Sequence, residues 1–460
     1  MPYIGRDTDK ISNVEVLDNI TFDGSSSYTL QKGGSNFTPS SANTLLLSID
    51  GVVQAGNFTV SGSTIDFGTA VAGTSTCDFV LHYGVGLITT PSDGTVTEAK
   101  IGTGAVTSAK LASGAVPNQS TFKNIIINGD MSIAQRGTSG TLQNGTGGYL
   151  TIDRWKTYEG GSESFVFTVS QDSDVPTGQG FVKSLKFDCT TADASLAADG
   201  ALSFRQAIEG QNLQYLKKGT SNAESLTLSF WVKSHLTGTY IISLVDVDNS
   251  RSISASYTIS SQNTWEKKTI TYPGDTSGAF GNDNGNSLQV EFYLGAGSNY
   301  TSGTLQTSWG SNVAANQRVG QVNLASSTDN NFWITGVQLE AGTSASNFEF
   351  LPYDVTLNKC LRYYFTDALY SSGGNTGLAE MPICTSNAAF KHIFKHFPVT
   401  MRAAPTISNI VIKSDVATSS SDLTQKSGDY ATTMTVDIYG RNDDSTAPGY
   451  YHGAEFSAEL

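Results

Sequence analysis

Apolar and polar residues alternate at every second position through much of this chain, which is the pattern of half-buried β-strands. Near the N-terminus, TLLLSIDGVVQ places Leu45, Leu47 and Ile49 on one face and continues into Asp50-Gly51, a pair typical of hairpin turns. A second hairpin is predicted in FTVSGSTIDF. We therefore expect a small antiparallel β-sandwich in this part of the chain.

A longer series of short strands, separated by turns rich in Gly, Ser, Asn and Asp, is predicted for residues 120–355. In SLTLSFWVKS, Leu226, Leu228 and Phe230 share one face, whereas Trp231 lies on the other. The stretch YLTIDRWKTY is also interpreted as a strand. Strands of this kind indicate a jelly-roll β-sandwich.

The segment 356–460 continues the strand-like alternation, and LNKCLRYYFT predicts one short helix or strand within it. In KHIFKHF a helix would place His392 and His396 on one face as metal ligands. The Phe-Pro that follows and the apolar alternation favour a strand instead, so we predict ordinary surface or core histidines. The chain as a whole is predicted to be all-β.

A ten-residue repeat, DGTVTEAKIGTGAVTSAKLASGAV, separates the first two β-rich segments. About two and a half units are too few to cover their own apolar residues, so we expect several copies of the chain to wind around a common axis. A flexible Gly/Ala/Ser/Thr linker is the alternative. The residues expected at the axis are Gly94, Val96, Ile101, Gly104, Val106, Leu111, Gly114 and Val116.

The composition of this 460-residue chain indicates which classes of binding partner to expect. Charged residues make up 15% and the net charge is −14, which argues against a nucleic-acid partner because phosphate backbones attract clustered Lys and Arg. Aromatic residues make up 10%, which is too many for a disordered chain.

The four cysteines are scattered, without a C-x-x-C pair or a histidine at metal-ligand spacing, so we predict neither a disulfide framework nor a metal site or cofactor. Cys77 and Cys189 fall in strand-like runs and are predicted to be buried thiols. The N-terminal MPYIGRDTDK has no apolar signal core, and no apolar run is long enough for a membrane span. A protein without a secretory signal that works outside the cell would be released by lysis.

Several motifs resemble, in their order, a module common in bacteriophage tail fibres. They are NIIINGDMSIAQRG, IDRWK, LSFWVKS, TWEKKTITYP, FWITGVQLEAGTSASNFE and LNKCLRYYF. FPVTMRAAPTI and the terminal AEFSAEL are similar to the distal domain that usually follows this module. The first hairpins resemble the virion-proximal part of podovirus-type fibres, and the decapeptide repeat is similar to their shafts. The jelly-roll portion is also similar to carbohydrate-binding modules.

The resemblance implies a homotrimeric receptor-binding protein that is part of the virion, made in the host cytoplasm and released by lysis. Its expected partners are phage tail adaptor or nozzle proteins at the N-terminal end and a bacterial surface glycan or outer-membrane receptor at the other. The implied domains are a tail-attachment β-domain (1–92), a trimeric repeat shaft (93–119), a jelly-roll domain (120–355) and a receptor-binding tip (356–460).

Catalytic motifs are missing from the sequence. It contains no G-x-S-x-G, H-E-x-x-H, P-loop or complete G-x-G-x-x-G, so we expect no enzymatic activity and assign no catalytic residues. Three other functions stay open: a structural tail adaptor or decoration protein, a capsule-degrading tail enzyme using paired carboxylates, and a carbohydrate-binding accessory of a secreted enzyme.

A receptor site for sugars needs aromatic faces together with hydrogen-bonding side chains on loops held by a rigid sandwich. In the tip, the candidates are Tyr370 in LYSSGGN and Tyr450, Tyr451 and His452 in the Gly-flanked loop expected at APGYYHG. Trp309, in the turn-rich LQTSWGSN, is a further candidate for an exposed position. The residues interpreted as packing residues are Trp155, Trp231, Trp265, Trp333, Tyr363 and Tyr364.

Overall fold

The computed structural model forms two compact units, residues 1–117 and 118–460, and confirms the all-β prediction. The predicted boundary at 355/356 falls inside the second unit, and the division into four domains stays a prediction. The residues that the structure describes are 12–85, Val96, Ile101, Val106, 122–366, 380–384, 391–413, 425–429, 431–441 and 449–460.

The N-terminal unit is a small antiparallel β-sandwich. Its strands are β1 (Ser12–Leu17), β2 (Ser27–Thr29), β3 (Gln31–Lys32), β4 (Ser35–Asn36), β5 (Leu45–Ile49), β6 (Val52–Gln54), β7 (Thr59–Ser61), β8 (Thr64–Asp66) and β9 (Cys77–Val85). They form sheets β1-β9-β5-β6, β2-β8-β7 and β3-β4, with Leu30, Leu47 and Val80 fully buried in the core. Asp50 and Gly51 have φ angles of 47° and 76°, as the predicted hairpin turn requires.

Twelve strands among the described residues build the jelly roll of the C-terminal unit. They are β10 (Ser139–Leu142), β11 (Lys156–Gly160), β12 (Val166–Asp172), β13 (Ser184–Thr191), β14 (Ala201–Glu209), β15 (Leu226–Ser234), β16 (Gly238–Asp246), β17 (Arg251–Ile259), β18 (Glu266–Tyr272), β19 (Asn286–Ala296), β20 (Gly310–Ser311) and β21 (Asn331–Ala341). Short helix α1 (Ser298–Thr301) follows β19.

These strands form two six-stranded sheets packed face to face. The front sheet has the order β10-β12-β13-β21-β15-β18, and the back sheet has the order β11-β14-β19-β16-β17-β20. Between them lies an aromatic core in which Phe204 stacks on Phe292, with ring centres 4.9 Å apart, and Trp155 packs 5.8 Å from Phe204. Trp155 is thus a core residue, as predicted, and Cys189 is a buried thiol, as is Cys77 in the other unit.

The strand predicted for YLTIDRWKTY begins later than expected, because β11 starts at Lys156. Arg154 has a φ of 73°, a left-handed conformation that interrupts extended backbone. The turn lets Ile152 and Trp155 enter the sandwich core while the Arg154 side chain points toward the end of the chain, where it pairs with Glu459.

The end of the chain adds helix α2 (Tyr353–Leu361) and seven strands within the described residues. They are β22 (Tyr364–Thr366), β23 (Glu380–Cys384), β24 (Lys391–His396), β25 (Thr406–Lys413), β26 (Gln425–Asp429), β27 (Thr435–Arg441) and β28 (Gly449–Ser457). LNKCLRYYFT therefore contributes to both a helix and a strand, and KHIFKHF is a strand, as predicted. Strand β28 pairs with β22, β23 and β25, and β24-β27-β26 forms a second sheet.

Two arginines of the jelly roll fasten this end of the chain. The Arg154 guanidinium lies 3.5 Å from the ring centre of Tyr363, and that of Arg136 lies 3.5 Å from the ring centre of Tyr364. Both arginines also pair with Glu459. Tyr363 and Tyr364 are almost fully buried, which confirms that they are packing residues.

Candidate functional site

Three tryptophans lie on the outer face of the front sheet and form what we call the tryptophan face: Trp231, Trp265 and Trp333. Phe230 and Phe332 point into the sandwich core, so the residues that follow them, Trp231 and Trp333, point outward. Trp265 directly precedes β18 on the same sheet. Trp231 and Trp265 are partly exposed, so the prediction that they are packing residues is wrong. Trp333 also points away from the sandwich core but is only 8% exposed, so its packing role is as predicted.

A lysine and two aspartates orient the indoles of the tryptophan face. The Lys233 ammonium lies 4.1 Å from the ring centre of Trp333 and 5.6 Å from that of Trp265, and it pairs with Asp174. Trp265 Nε1 donates a hydrogen bond of 2.9 Å to Asp174, and Trp333 Nε1 donates one of 3.4 Å to Asp172. These contacts hold the two rings in place, with Trp333 buried and Trp265 partly exposed.

The pKa of Asp172 reflects this environment. Burial alone would raise the pKa, but hydrogen bonds from the Asp174 backbone N–H and the Trp333 indole, together with nearby Lys186, outweigh burial. The pKa therefore lies below its ordinary value, and the carboxylate stays charged where it receives the indole N–H.

A cleft of about 370 Å³ opens beside Trp231 on this face. The polar side chains at its wall include Ser229, Lys267 and Gln179. The volume lies in the range typical of small-molecule sites. Aromatic rings close to polar side chains can hold a flat ligand that has apolar faces and a polar rim.

Three phenylalanines form one end of the cleft. The rings of Phe181, Phe348 and Phe350 lie 4.9 to 5.1 Å from one another. Phe181 rests on the backbone of Gly336, which has a φ of 64°, and a Cβ at that position would lie 2.5 Å from the ring. Glycine at 336 is therefore required for this wall of the cleft.

The segment 297–322 packs against the back sheet, and the short strand β20 within it extends the edge of that sheet at β17. The Arg318 guanidinium lies 4.2 Å from the ring centre of Tyr293 on β19, and its Nη2 lies 3.8 Å from Glu291. Gln306 donates to the backbone oxygen of Ser252 at 2.7 Å. Arg318, Tyr293 and Glu291 are all at least nine-tenths buried, so these three side chains are closed to a ligand.

The predicted receptor residues lie elsewhere. Trp309 is half-buried: it packs against the sandwich core and donates its indole N–H to the backbone oxygen of Pro273 at 2.7 Å. Tyr450, Tyr451 and His452 lie in β28, where Tyr450 and Tyr451 pair with both β23 and β25, so the expected loop is wrong at these positions. Their role in receptor binding stays a prediction, and Tyr370 lies outside the described residues.

Three of the residues predicted at the axis of the repeat are described. Val96, Ile101 and Val106 are 51%, 42% and 48% exposed, which leaves apolar side chains uncovered at a spacing of five residues. Gly94, Gly104, Leu111, Gly114 and Val116 lie outside the described residues.

Within the described part of the chain, no group of three or more His, Cys, Asp or Glu side chains is arranged to hold a metal ion. None of the helices described here has the length and apolarity to cross a bilayer.

Sequence reasoning missed the tryptophan face, although a signal was present. Trp231 falls in phase with Ser229 and Lys233, on the polar side of its strand. A large aromatic residue among polar neighbours indicates an exposed surface with a binding role more than it indicates a core. No sequence pattern indicated that Trp265 lies on the same face, because its position depends on a hydrogen bond to Asp174, which is distant in sequence.

No family model and no curated protein matches this chain. Among solved structures, it is similar to the enzymatically active domain of tailspike protein 4 of bacteriophage CBA120, with 16% identity, a TM-score of 0.26 and coverage of 48% of this chain. The match spans 22% of that tailspike chain. A family 11 carbohydrate-binding module of a Clostridium thermocellum cellulase is similar at 15% identity and a TM-score of 0.23, over 45% of this chain and 96% of the module. A sugar-binding protein described as putative, from Bacteroides thetaiotaomicron, is similar at 9% identity and a TM-score of 0.25, over 47% and 99% of the two chains.

Proposed function

We propose that this protein binds a glycan through the tryptophan face, as part of a homotrimeric bacteriophage tail fibre of podovirus type. The observation that supports glycan binding is the position of the partly exposed Trp231 beside an open cleft of about 370 Å³ on the front sheet. An indole can pack against the apolar C–H face of a sugar ring. Ser229, Gln179 and Lys267 at the cleft wall can hydrogen-bond the ring hydroxyls.

The open geometry favours a weak single site strengthened by repetition. An open cleft buries less of a ligand than an enclosed pocket, so its affinity is limited. Three copies on one fibre raise the apparent affinity by about two orders of magnitude when the receptors are dense enough. In this proposal the protein binds the glycan without cleaving it.

Exposed apolar residues support the assembly part of the proposal. Val96, Ile101 and Val106 would be covered if three chains associated along the repeat. In the N-terminal unit, Val14, Val16 and Tyr83 lie on the outer face of sheet β1-β9-β5-β6 and are 48%, 65% and 41% exposed. An apolar face of this kind suits docking to another protein, here a tail adaptor or nozzle protein of the virion.

The test of glycan binding compares two tryptophans of the same unit. The full-length protein is screened on an array of bacterial surface glycans, and the best ligand is titrated by calorimetry. We expect Trp231→Ala to weaken binding roughly 30-fold, the effect of losing an interaction of about 2 kcal/mol. The matched control, Trp309→Ala, is expected to bind like the unaltered protein.

Two results would contradict the site. If Trp231→Ala bound the glycan as tightly as the unaltered protein, the tryptophan face would not be the binding site. If only Trp309→Ala lost glycan affinity, the site would lie at Trp309. If the glycan became shorter during incubation, the protein would hydrolyse it, and the proposal of binding without cleavage would be wrong.

The assembly is tested on the same preparation. Light scattering should report three chains of 48.7 kDa per particle. A protein lacking residues 1–92 should still adsorb to host cells but fail to join virions. A stable monomer at micromolar concentration would contradict the trimer, and lost adsorption by a folded truncated protein would reverse the assignment of the two ends.

A further inference from the structure

A second cleft, of about 440 Å³, lies where helix α2 meets the jelly roll. We call it the helix cleft. Its lining residues are Phe122, Asn124, Ile125, Ile127, Gln211, Asn212, Tyr215, Lys359, Arg362 and Tyr363. The tryptophan face contributes none of these residues, so the two sites can be altered separately.

The two cations of the helix cleft differ in their pairing. Arg362 forms a two-point ion pair with Glu209, through Nε at 2.8 Å and Nη2 at 2.7 Å. Lys359 has no hydrogen-bond or ion-pair partner among the described residues, and its ammonium lies 4.8 Å from the ring centre of Phe122. The pKa of Lys359 lies below its ordinary value, because burial lowers it by more than the negative charge of nearby Glu349 raises it. The helix cleft therefore contains one positive charge without a direct partner.

Two aromatic rings and one side-chain amide of the helix cleft are also exposed. Phe122 and Tyr215 are 57% and 52% exposed. The Asn212 side chain is exposed and forms no hydrogen bond within the described part of the chain. Exposed rings next to an amide and an ammonium that forms no ion pair can bind a ring that carries hydroxyls and one negative charge.

We propose that the helix cleft binds a sugar residue that carries a carboxylate, such as a hexuronic acid. The ring packs against Phe122 and Tyr215, the Asn212 amide hydrogen-bonds the hydroxyls, and the Lys359 ammonium pairs with the carboxylate. A single negative charge is favoured over a phosphate dianion because Arg362 is already neutralised by Glu209. A dianion would leave one of its charges without a partner.

The test uses the full-length protein and two matched probes, trigalacturonic acid and neutral galactotriose, titrated by calorimetry. We expect the acidic trisaccharide to bind more tightly than the neutral one. Lys359→Met keeps the aliphatic length of the side chain and removes its charge, and should weaken trigalacturonate binding at least 10-fold with the melting temperature unchanged. The control is Lys217→Met, which changes a lysine paired with Glu224 at 2.8 Å outside the helix cleft and should leave binding intact.

The remaining measurements separate this site from the tryptophan face and from a simple anion site. Trp231→Ala should bind trigalacturonate like the unaltered protein, so failure of the proposed glycan face would not be mistaken for failure here. Inorganic phosphate at the same ionic strength should not compete. Equal binding of both trisaccharides, equal binding by Lys359→Met, or displacement by phosphate would each overturn the proposal.

Discussion

The two outer faces of the jelly roll arise from the same fold but differ in what lies on top of them. The front face carries the partly exposed Trp231 and Trp265 and the buried Trp333, with Lys233 between Trp265 and Trp333. On the back face, Arg318 from the segment 297–322 packs on Tyr293 of β19, and both side chains are buried.

The front face has an open cleft beside Trp231, whereas the polar groups around Arg318 on the back face are buried. Arg318, Glu291 and Tyr293 on the back face resemble the chemistry of a binding site, since they combine a cation, a carboxylate and an aromatic ring. Their partners are one another, so the interaction energy stabilises the fold. On the front face, Trp231 is partly exposed beside an open cleft, whereas Trp333 and Lys233 are buried.

Among the variants that test the difference between the two faces, we expect Arg318→Ala to have the largest effect on stability. Removing the guanidinium leaves the buried Glu291 with Arg205 as its remaining cation, at 3.9 Å, and with hydrogen bonds from Ser203 at 2.9 Å and Tyr293 at 3.3 Å. We expect a loss of about 3 kcal/mol in the free energy of unfolding, because a buried charge loses its ion-pair partner. Urea denaturation measures it. The control on the front face, Lys186→Ala, should change stability by less than about 0.5 kcal/mol. If both variants lost the same amount, the two faces would not differ as described.

A smaller effect is expected from Gly336→Ala, which tests the phenylalanine end of the front cleft. The new Cβ would press on Phe181, so we expect a loss of about 2 kcal/mol, as for overpacked sites, and weaker glycan binding. Gly320→Ala is the matched control in the cover of the back face. Gly320 also has a positive φ, of 90°, but has open space around it, so it should lose about 1 kcal/mol and leave glycan binding unchanged. Unaltered glycan binding by Gly336→Ala would show that this wall does not shape the site.

The smallest expected effect is the pH dependence of stability that Asp172 contributes on the front face. Its pKa is lowered in the folded protein, so its charged form stabilises the fold above the ordinary value of about 3.9 and loses this contribution as the pH falls through the lowered pKa. We expect Asp172→Asn to be less stable than the unaltered protein at pH 6 by under about 1 kcal/mol, because solvent screens this carboxylate. The difference should shrink toward pH 3 in urea denaturation. A difference that does not change with pH would contradict the assignment.

Local pattern predicted much of this protein correctly. The all-β class and the Asp50-Gly51 hairpin follow from side-chain alternation and turn chemistry, which act over a few residues. The core position of Trp155 was predicted from the size and apolar character of its side chain. Alternation also separated Trp231 from Phe230, but it could not tell an exposed tryptophan from a packed one. That distinction requires knowledge of what covers the sheet.

Only the tertiary structure decided which surfaces are open. The segment 297–322 has no periodicity that would place it over the back sheet, and contacts such as Arg318 with Tyr293 hold it there. Trp309 lies in a turn-rich sequence yet is half-buried, because Pro273 accepts its indole N–H. Lys359 and Phe122 are far apart in sequence and meet at the helix cleft only after folding. A sequence by itself determines which residues can form strands, through local sterics and hydrophobic alternation, whereas long-range packing determines which of their side chains remain accessible to a ligand.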